Sequence, residues 1–460
     1  MKFKFGIIAI LLIVVIAAVL AIYAWNTKPE LVQTYPMGGD ANAPATTGIR
    51  LVFSRPMVDQ SVIERLKISP ATSGGYTWDG TSLNFTPDQA WPSGEVVTVT
   101  LEAGSRGASW ITFPMGGKTW SFTIGESMLA YLWPADKPAD IYALTPSTGK
   151  ITRYTHDMAV LDFSLSNDGL LIYFSASNAQ EGADIYKIDR TKVESSGSDT
   201  YQPQQVLICG EAQCRYPVIS ADKQYLAYEY IQPEASVASG PAQIWMLNLA
   251  SAEPSALGLE GHETVQPTWS STGWLAYYDS TASGYEFIEI SSMKRTLLSN
   301  LTGQPGEWSP AGNVYLAPEV YYYQAPENTE RGTSQLRSYQ VLGGTSEDIS
   351  KSVIVEDTDG VYSPDGSMIA FARKFLDAAQ WTLGRQLWIM NPDGSNAHAI
   401  SDEPDYNHYD IAWSQDGTRL AYVRFDESRV FNPPELWMVN VDGSNPIQLV
   451  IGGYSPVWIP

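Results

Sequence analysis

The sequence has few of the residues from which active sites and metal sites are most often built. Only two of its 460 residues are cysteine and only four are histidine. It contains no Gly-x-Ser-x-Gly nucleophile motif, no His-Glu-x-x-His zinc motif and no glycine-rich phosphate loop. These absences favour a protein without catalytic activity, and the four histidines are interpreted as polar loop residues.

Positive charge is also scarce. The chain has 28 Lys and Arg against 50 Asp and Glu, which gives a formal net charge of −22. A phosphate backbone would be repelled, so nucleic acid is not expected as a partner. Apolar residues make up 44% of the chain, and it contains 15 Trp and 26 Tyr. This composition can bury a large core and favours strands, and the length predicts more than one domain.

The two cysteines lie close together, in the segment Cys209-Gly-Glu-Ala-Gln-Cys214. Outside the cytoplasm, such a pair is expected to form a local disulfide. Two free thiols are the alternative. A metal site would need more ligands than this pair offers.

The amino terminus has a long run without charge, from Phe5 to Trp25. In a helix its 21 residues would extend roughly 31 Å, close to the thickness of a bilayer's hydrocarbon core. The run ends without small residues, so we favour residues 1–28 as an uncleaved membrane anchor over a cleaved secretory signal. Lys2 and Lys4 precede the run, which predicts a single-pass membrane protein with its bulk outside the cytoplasm.

Residues 29–126 show short alternating strands separated by turns. Examples are the segment from Ile49 to Phe53 and the hairpin signal Trp78-Asp79-Gly80 followed by Leu83 and Phe85. About 95 residues of such strands predict a β-sandwich. These motifs resemble the bacterial Ig-like domains of surface proteins. The resemblance implies a spacer or adhesive module rather than an enzyme.

Residues 127–460 contain a repeated motif, in which a serine is followed by a turn and an apolar strand. The repeat serines are at positions 166, 220, 270, 309, 363 and 414. Their spacing is close to the size of one four-stranded propeller blade. Third strands such as Gln386-Leu-Trp-Ile-Met and Glu435-Leu-Trp-Met-Val follow the motif. These motifs resemble the TolB-type β-propeller, which also occurs in prolyl oligopeptidases, and imply that fold without specifying a function.

The two ends of this region complement each other. Residues 454–460 look like a first strand, whereas the region opens at Leu129 without one. Pairing the two ends would close the ring and remove an open sheet edge. The predicted fold class is therefore all-β: an Ig-like sandwich and a propeller, with one transmembrane helix. Seven blades are favoured, and six, the commoner number in TolB-type propellers, are the alternative.

The connections between second and third strands are long in four repeats, at residues 231–242, 318–334, 373–385 and 425–434. Long connections on one side of a propeller usually form its binding face. Aromatic and arginine side chains are common anchors of recognition surfaces. The candidate binding residues are Tyr321, Tyr322, Tyr323, Phe375, Trp381, Arg385, Arg429 and Phe431. Alternatively, these side chains fold back over the ends of the blades.

Three acids stand four residues before a repeat serine: Asp162, Asp359 and Asp410. First strands line the channel of a propeller, so these acids would lie near its mouth. A calcium ion would suit such oxygen ligands. The alternative is that each carboxylate caps a local turn, and no cofactor is otherwise predicted.

These observations give three functional hypotheses. The favoured one is a membrane-anchored, extracytoplasmic binding or scaffold protein that engages a protein, a peptide or a glycan through one propeller face. The second is a propeller hydrolase or lyase that acts on surface polysaccharide through acids near the channel. The third is a cell-wall spacer without a specific ligand.

Overall fold

The computed structural model describes residues 2–40, 43–109, 111–196, 201–233, 240–324, 329–352 and 354–459, and the side chains of residues 2–10 and 194–196 lie outside this description. The chain divides into two units, Met1–Glu126 and Ser127–Pro460.

In the described residues of the first unit there are two helices and seven strands. They are α1 (Lys2–Asn26), β1 (Leu31–Tyr35), β2 (Ile49–Phe53), α2 (Asp59–Ile63), β3 (Leu66–Ser69), β4 (Gly74–Asp79), β5 (Ser82–Pro87), β6 (Val96–Leu101) and β7 (Lys118–Thr123). The strands form a sheet of order β1-β2-β5-β4 and a second sheet of order β3-β6-β7. Alternate residues of both sheets, such as Leu51, Leu83, Val97 and Val99, are buried in one core. This arrangement is the sandwich that the alternating strands predict.

The amino-terminal helix α1 ends against a loop of the same unit. The hydroxyl of Thr27 donates to the carbonyl oxygen of Ile111 at 2.9 Å, and the ring of Trp25 meets Phe113 edge to face at 6.3 Å. The apolar side chains from Leu11 to Leu20 in α1 are largely exposed. A search of the described residues finds no helix with the length and apolar character needed to cross a membrane.

The second unit consists almost entirely of strands. They are β8 (Met128–Trp133), β9 (Asp140–Thr145), β10 (Lys150–Arg153), β11 (Val160–Leu165), β12 (Leu171–Ser177), β13 (Ala183–Asp189), β14 (Gln204–Leu207), β15 (Gln213–Ile219), β16 (Tyr225–Ile231), β17 (Ala242–Asn248), β18 (Glu253–Ala256), β19 (Thr264–Trp269), β20 (Trp274–Asp279), β21 (Gly284–Glu289), β22 (Lys294–Ser299), β23 (Glu307–Trp308), β24 (Val314–Gln324), β25 (Glu330–Gln340), β26 (Thr345–Asp348), β27 (Val355–Tyr362), β28 (Ile369–Phe375), β29 (Gln386–Met390), β30 (His398–Ala399), β31 (Tyr406–Trp413), β32 (Arg419–Asp426), β33 (Glu435–Asn440), β34 (Ile447–Ile451) and β35 (Tyr454–Ile459). One short helix, α3 (Arg190–Ser196), follows β13.

Antiparallel pairing organises these strands into up-and-down sheets. In the described residues, four-stranded sheets are formed by β19–β22, β23–β26, β27–β30, β31–β34, and by β8–β10 with β35. Strands β11 to β18 form one larger sheet, whose two halves are joined by a single parallel bridge between Ala183 and Gln213. Each meander is therefore a repeat of the kind that the serine spacing predicts.

The carboxyl-terminal strand β35 pairs with β8, so that Tyr454 is opposite Leu132 and Ile459 is opposite Met128. The first strands of successive repeats also contact one another, from β11 through β15, β19, β23, β27 and β31 to β35, and β35 contacts β11. The contacts therefore form a closed cycle around a central axis.

The repeated residues have specific structural roles. The tryptophan before the repeat serine donates its indole N–H to a first-strand carbonyl oxygen of the preceding repeat. Examples are Trp413 to Val361 at 3.1 Å and Trp269 to Val218 at 3.0 Å. The serine hydroxyl binds the aspartate two residues later, as between Ser414 and Asp416 at 2.6 Å. The motif therefore joins neighbouring sheets and closes the turn after each first strand.

Candidate functional site

The topology brings two sets of connections to the same side of each sheet. In a four-stranded antiparallel meander, the connection from the second strand to the third and the link from the fourth strand to the next repeat both leave from the same end of the strands. We call this side of the second unit the loop face. The turns after first strands and after third strands lie on the opposite side.

The three neighbouring tyrosines of the loop face lie on strands, not in the loop that the sequence analysis predicted. Strands β24 and β25 each run for 11 residues and pair along their whole length, so that Tyr322 is opposite Gly332. Side chains alternate along a strand, which places Tyr322 on one side of the hairpin and Tyr321 and Tyr323 on the other. Tyr322 is 57% exposed, whereas Tyr321 and Tyr323 are half-buried.

The connection between β28 and β29 presents one of its two aromatic residues. Phe375 is half-buried and packs edge to face on Trp388 at 5.6 Å. Trp381 is 54% exposed. The ammonium group of Lys374 lies 5.0 Å from the centre of the Trp381 ring, and it also donates to the carbonyl oxygen of Leu383 at 2.8 Å. Trp381 is thus an exposed side chain whose ring is contacted by Lys374, whereas Phe375 packs against the sheet.

The two arginines predicted as binding residues have different environments. Arg385 forms an ion pair with Glu356 and donates to the side-chain oxygen of Asn407 at 3.1 Å, so it ties its connection to neighbouring strands. Arg429 is mostly exposed and lies 3.7 Å from Asp426. Phe431, on the same connection as Arg429, is fully exposed at 100%.

Two further arginines, which the sequence analysis missed, anchor the loop face. Arg373 forms a buried ion pair with Asp357 at 2.6 Å and lies over the ring of Trp388. Arg424 occupies the equivalent position in the next repeat and lies 3.8 Å from the ring centre of Trp437. The sequence contains a pattern that could have identified these two arginines. Each follows an aromatic residue by two positions, in Phe371-Ala-Arg and Tyr422-Val-Arg.

A buried histidine extends this anchoring network. His408 is fully buried; its Nδ1 atom is 2.7 Å from the carbonyl oxygen of Arg385, and its Nε2 atom is 3.1 Å from a carboxylate oxygen of Glu403. The carbonyl and carboxylate oxygens therefore hold the ring from two sides. The hydrogen bond from His408 and the ion pair with Arg424 lower the pKa of Glu403 to about 2. This geometry fixes the link to β31.

The three predicted metal-binding aspartates do not converge. Asp162 pairs with Arg215 at 2.7 Å and accepts from the backbone N–H of Tyr216 at 3.0 Å. Asp359 lies near Asp410, whose carboxylate accepts from the backbone N–H of Ser455 at 3.3 Å. Among the described residues, no three His, Cys, Asp or Glu side chains form a group suited to a metal ion. The described part of the structure therefore gives no support for one shared calcium site.

These aspartates instead stabilise irregular positions in the first strands. Tyr216, Asp410 and Ser455 adopt positive φ angles at bulges where the strand register shifts. A bulge leaves a backbone amide outside the ladder, and the carboxylate of the preceding repeat accepts its hydrogen bond. Burial and the nearby charge of Asp359 raise the pKa of Asp410 to about 6. Each acid therefore caps a backbone amide of the next repeat, whereas the predicted alternative was a cap within its own local turn.

The two cysteines form a disulfide between Cys209 and Cys214, with their Cα atoms 6.2 Å apart. The bridge closes the link between β14 and β15, which belongs to the loop face. Cys214 is fully buried. The disulfide therefore holds a loop-face connection against the core.

Comparison with known proteins identifies the first unit. Residues 25–124 match the family described as bacterial Ig-like domain. The first unit therefore carries a bacterial Ig-like domain. Among curated proteins, no sequence matches the chain significantly.

Solved structures show the fold of the second unit. A structure from a study of two prolyl endopeptidases has a TM-score of 0.50 and 12% identity, and the match covers 70% of this chain and 48% of that chain. A putative TolB from Agrobacterium tumefaciens has a TM-score of 0.38 and 16% identity, with 72% and 92% covered. An oligogalacturonate lyase in complex with manganese has a TM-score of 0.49 and 14% identity, with 68% and 85% covered. At 12% identity the prolyl endopeptidase match shows the propeller-type fold alone and no function.

Proposed function

We propose that this chain is a non-enzymatic binding or scaffold protein that engages a protein, peptide or glycan through the loop face. The observation that supports this proposal is the presence of exposed aromatic side chains in three consecutive repeats. Tyr322 lies near the end of the second strand β24, whereas Trp381 and Phe431 lie in the connections between second and third strands. Each of the three is more than half exposed. Aromatic side chains of this kind commonly carry most of the energy of an interface.

The framework below these residues supports the same proposal. Arg385 ties its connection to Glu356 of the first strand β27, and Arg373 joins the second strand β28 to the same first strand. Arg424 joins the second strand β32 to Glu403 in the link before β31 and to Glu435 of the third strand β33. A surface that is already ordered loses little conformational entropy when a ligand binds. The exposed rings are therefore held on a rigid base, as a recognition surface requires.

A selection experiment followed by substitution tests the proposal. The full chain in uncharged detergent would be screened against a phage-displayed peptide library and a glycan array. The selected ligands would then be measured with the triple variant Tyr322→Ala, Trp381→Ala and Phe431→Ala. We expect the triple variant to bind at least a hundredfold more weakly, since each lost anchor is worth about tenfold or more.

Leu342 provides the matched control, because it is 72% exposed and lies in the turn between β25 and β26 on the opposite side. Leu342→Ala is expected to leave the affinity unchanged. Ligands that bind the triple variant as tightly as the wild type would overturn the assignment of this face.

We further propose that the second unit is a seven-bladed propeller. The two halves of the β11–β18 sheet are each a four-stranded meander, and a single bridge joins them. Counting each half as one blade, together with the five separate sheets, gives seven. An experimental structure of the chain would test the count, and six blades around the axis would contradict it.

We also propose that residues 1–28 anchor the chain in the cell membrane and that the rest is extracytoplasmic. The uncharged run from Phe5 to Trp25 and the local disulfide support this proposal.

Carbonate extraction of cell membranes at high pH is expected to leave the full chain in the membrane pellet and to release a version that starts at residue 29. External protease is expected to digest the full chain in intact spheroplasts. Release of the full chain by carbonate, or its protection from protease, would contradict the respective part of the proposal.

A further inference from the structure

A second site on the loop face lies away from the aromatic residues. It is a cleft of about 310 Å³ between the connection from β12 to β13, the disulfide-closed link into β15 and the end of β16. The lining residues are Gln180, Glu181, Glu211, Gln213, Ile231, Gln232 and Pro233. The volume is at the lower end of the range for pockets that bind small ligands.

The lining has an unusual balance of chemical groups. Among the described residues, it offers two carboxylates and three primary amides, together with the apolar surfaces of Ile231 and Pro233, and none of these lining residues is basic or aromatic. Within the described residues, the carboxylates of Glu181 and Glu211 have no hydrogen-bond or ion-pair partner. The cleft therefore presents unpaired negative charge beside groups that both donate and accept hydrogen bonds.

The walls of the cleft are fixed by contacts behind its lining. Asp184 is buried and accepts from the side-chain amide of Asn178 at 2.9 Å and from the backbone N–H of Cys209 at 2.8 Å. The disulfide between Cys209 and Cys214 encloses the segment that carries Glu211 and Gln213. At Gly182 a side chain would overlap the carbonyl oxygens of Gly210 and Ala212, so the two walls approach closely behind the cleft.

The charge of the second unit favours a cationic ligand. Residues 1–126 contain nine basic and nine acidic side chains, so the whole net charge of −22 belongs to residues 127–460. A field of this sign raises the local concentration of cations and speeds their association.

We infer that this cleft binds the primary ammonium group of a lysine side chain in a basic peptide. The carboxylates of Glu181 and Glu211 pair with the ammonium group, and the glutamine amides form hydrogen bonds with the peptide backbone. A lone metal ion would leave most of a 310 Å³ cleft unfilled. A sugar ring would lack an aromatic partner for stacking, which makes the lysine side chain the better fit.

Calorimetric titration of the full chain in uncharged detergent tests this inference. The probe is the peptide acetyl-Gly-Lys-Gly-amide, and the same peptide with an acetylated lysine side chain is its neutral control. We expect the charged peptide to bind, with an affinity that falls as salt is added. Acetylation of the lysine, or the double variant Glu181→Gln and Glu211→Gln, is expected to weaken binding at least tenfold.

Two matched variants make the result specific. Glu260→Gln removes the same charge at an exposed position outside the cleft and is expected to leave the affinity unchanged. The triple aromatic variant is also expected to bind the peptide normally, so failure of this inference is distinguishable from failure of the proposed function. Binding of calcium chloride without binding of the peptide, equal binding of the acetylated peptide, or no binding at all would overturn the inference.

Discussion

At the scale of single residues, buried carboxylates connect neighbouring sheets of the second unit. Asp162 accepts from the backbone N–H of Tyr216, and Glu229 accepts from that of Gln266 at 2.7 Å. Both amides belong to residues with positive φ angles at register shifts. The hydrogen bond avoids the free-energy cost of burying a backbone N–H group without a partner. Burial of the carboxylate itself still carries a desolvation cost.

Glu229 gives the propeller a pH dependence. Burial raises the pKa of Glu229 to about 7, from an ordinary value near 4.5. Its contribution to stability is complete below pH 4.5 and is lost as the pH rises through 7. We expect Glu229→Gln, which keeps an acceptor for Gln266, to match the wild type near pH 4.5 and to be about 3 kcal/mol more stable at pH 8. Urea unfolding at both pH values measures the difference.

Glu260→Gln serves as the control for this measurement, because Glu260 is exposed and outside the sheet interfaces. It should change stability little at either pH. A Glu229→Gln variant with the same stability difference from the wild type at both pH values would contradict the linkage.

The ion pair between Arg373 and Asp357 leads to a second prediction at this scale. Both side chains are almost completely buried. Arg373→Ala would leave the carboxylate of Asp357 without its counter-ion, so a loss of about 3–5 kcal/mol in unfolding free energy is expected. The double variant Arg373→Met and Asp357→Asn removes both charges and should recover most of that loss. Equal losses in the two proteins, measured by urea unfolding, would count against this explanation.

Sequence reasoning predicted local chemistry better than contacts between repeats. The Cys209 and Cys214 pair is close in sequence, and four of the six repeat serines lie two residues before an aspartate, so chain geometry limits where these groups can go. The partners of Asp162 and Asp410, by contrast, are 54 and 45 residues away. Only the packing of one sheet against the next determines such pairs, and sequence spacing does not give that register.

At the scale of elements, the hairpin of β24 and β25 shows why the aromatic residues were assigned to a loop. The sequence analysis placed residues 318–334 in a long connection between repeat strands, but β24 and β25 extend through most of this segment and run for 11 residues each. The segment Val320-Tyr-Tyr-Tyr is rich in β-branched and aromatic residues and contains no turn former, which is typical of a strand. The local propensity was therefore a better guide here than the position of the segment between repeat strands.

The disulfide-closed link is the element whose stability is simplest to predict. The bridge between Cys209 and Cys214 closes a short loop, and the loss of unfolded-state entropy for a loop of this size is worth about 2 kcal/mol. Replacement of both cysteines by alanine is expected to lower the unfolding free energy by about that amount. The reduced wild type should show the same loss, and an unchanged urea midpoint in both would rule out a stabilising role.

At the scale of the whole molecule, the repeat period determined the fold correctly. Each sheet is a local meander, so its strands pair with neighbours in sequence, and the period of the serine motif indicates them directly. The placement of exposed aromatic residues on one face follows from the same topology. Whether a given side chain is exposed, as with Trp381, or packed inward, as with Phe375, depends on details of packing that the period does not contain.

The pairing of β35 with β8 gives a prediction for the whole second unit. Trp458 and Ile459 are buried, and the indole of Trp458 donates to the preceding repeat. Truncation after Gly453 is expected to lower the urea midpoint and to produce oligomers through the exposed edge of β8. A synthetic peptide with the sequence of residues 454–460, added in excess, should restore the monomer on a sizing column. A truncated chain that stays monomeric and fully stable would refute this role.

The pairing of β35 with β8 also bears on how quickly the protein can fold. The indole of Trp133 reaches the carbonyl oxygen of Ile451 across 318 positions of the chain. Contacts between such distant residues form late, because a very long loop must close before they gain any energy. Until β35 pairs, the sheets that form early would leave the edge of β8 unpaired, and slow pairing would expose that edge to other chains. Helper proteins that shield β-strands during folding would therefore raise the yield of this molecule more than that of its Ig-like domain.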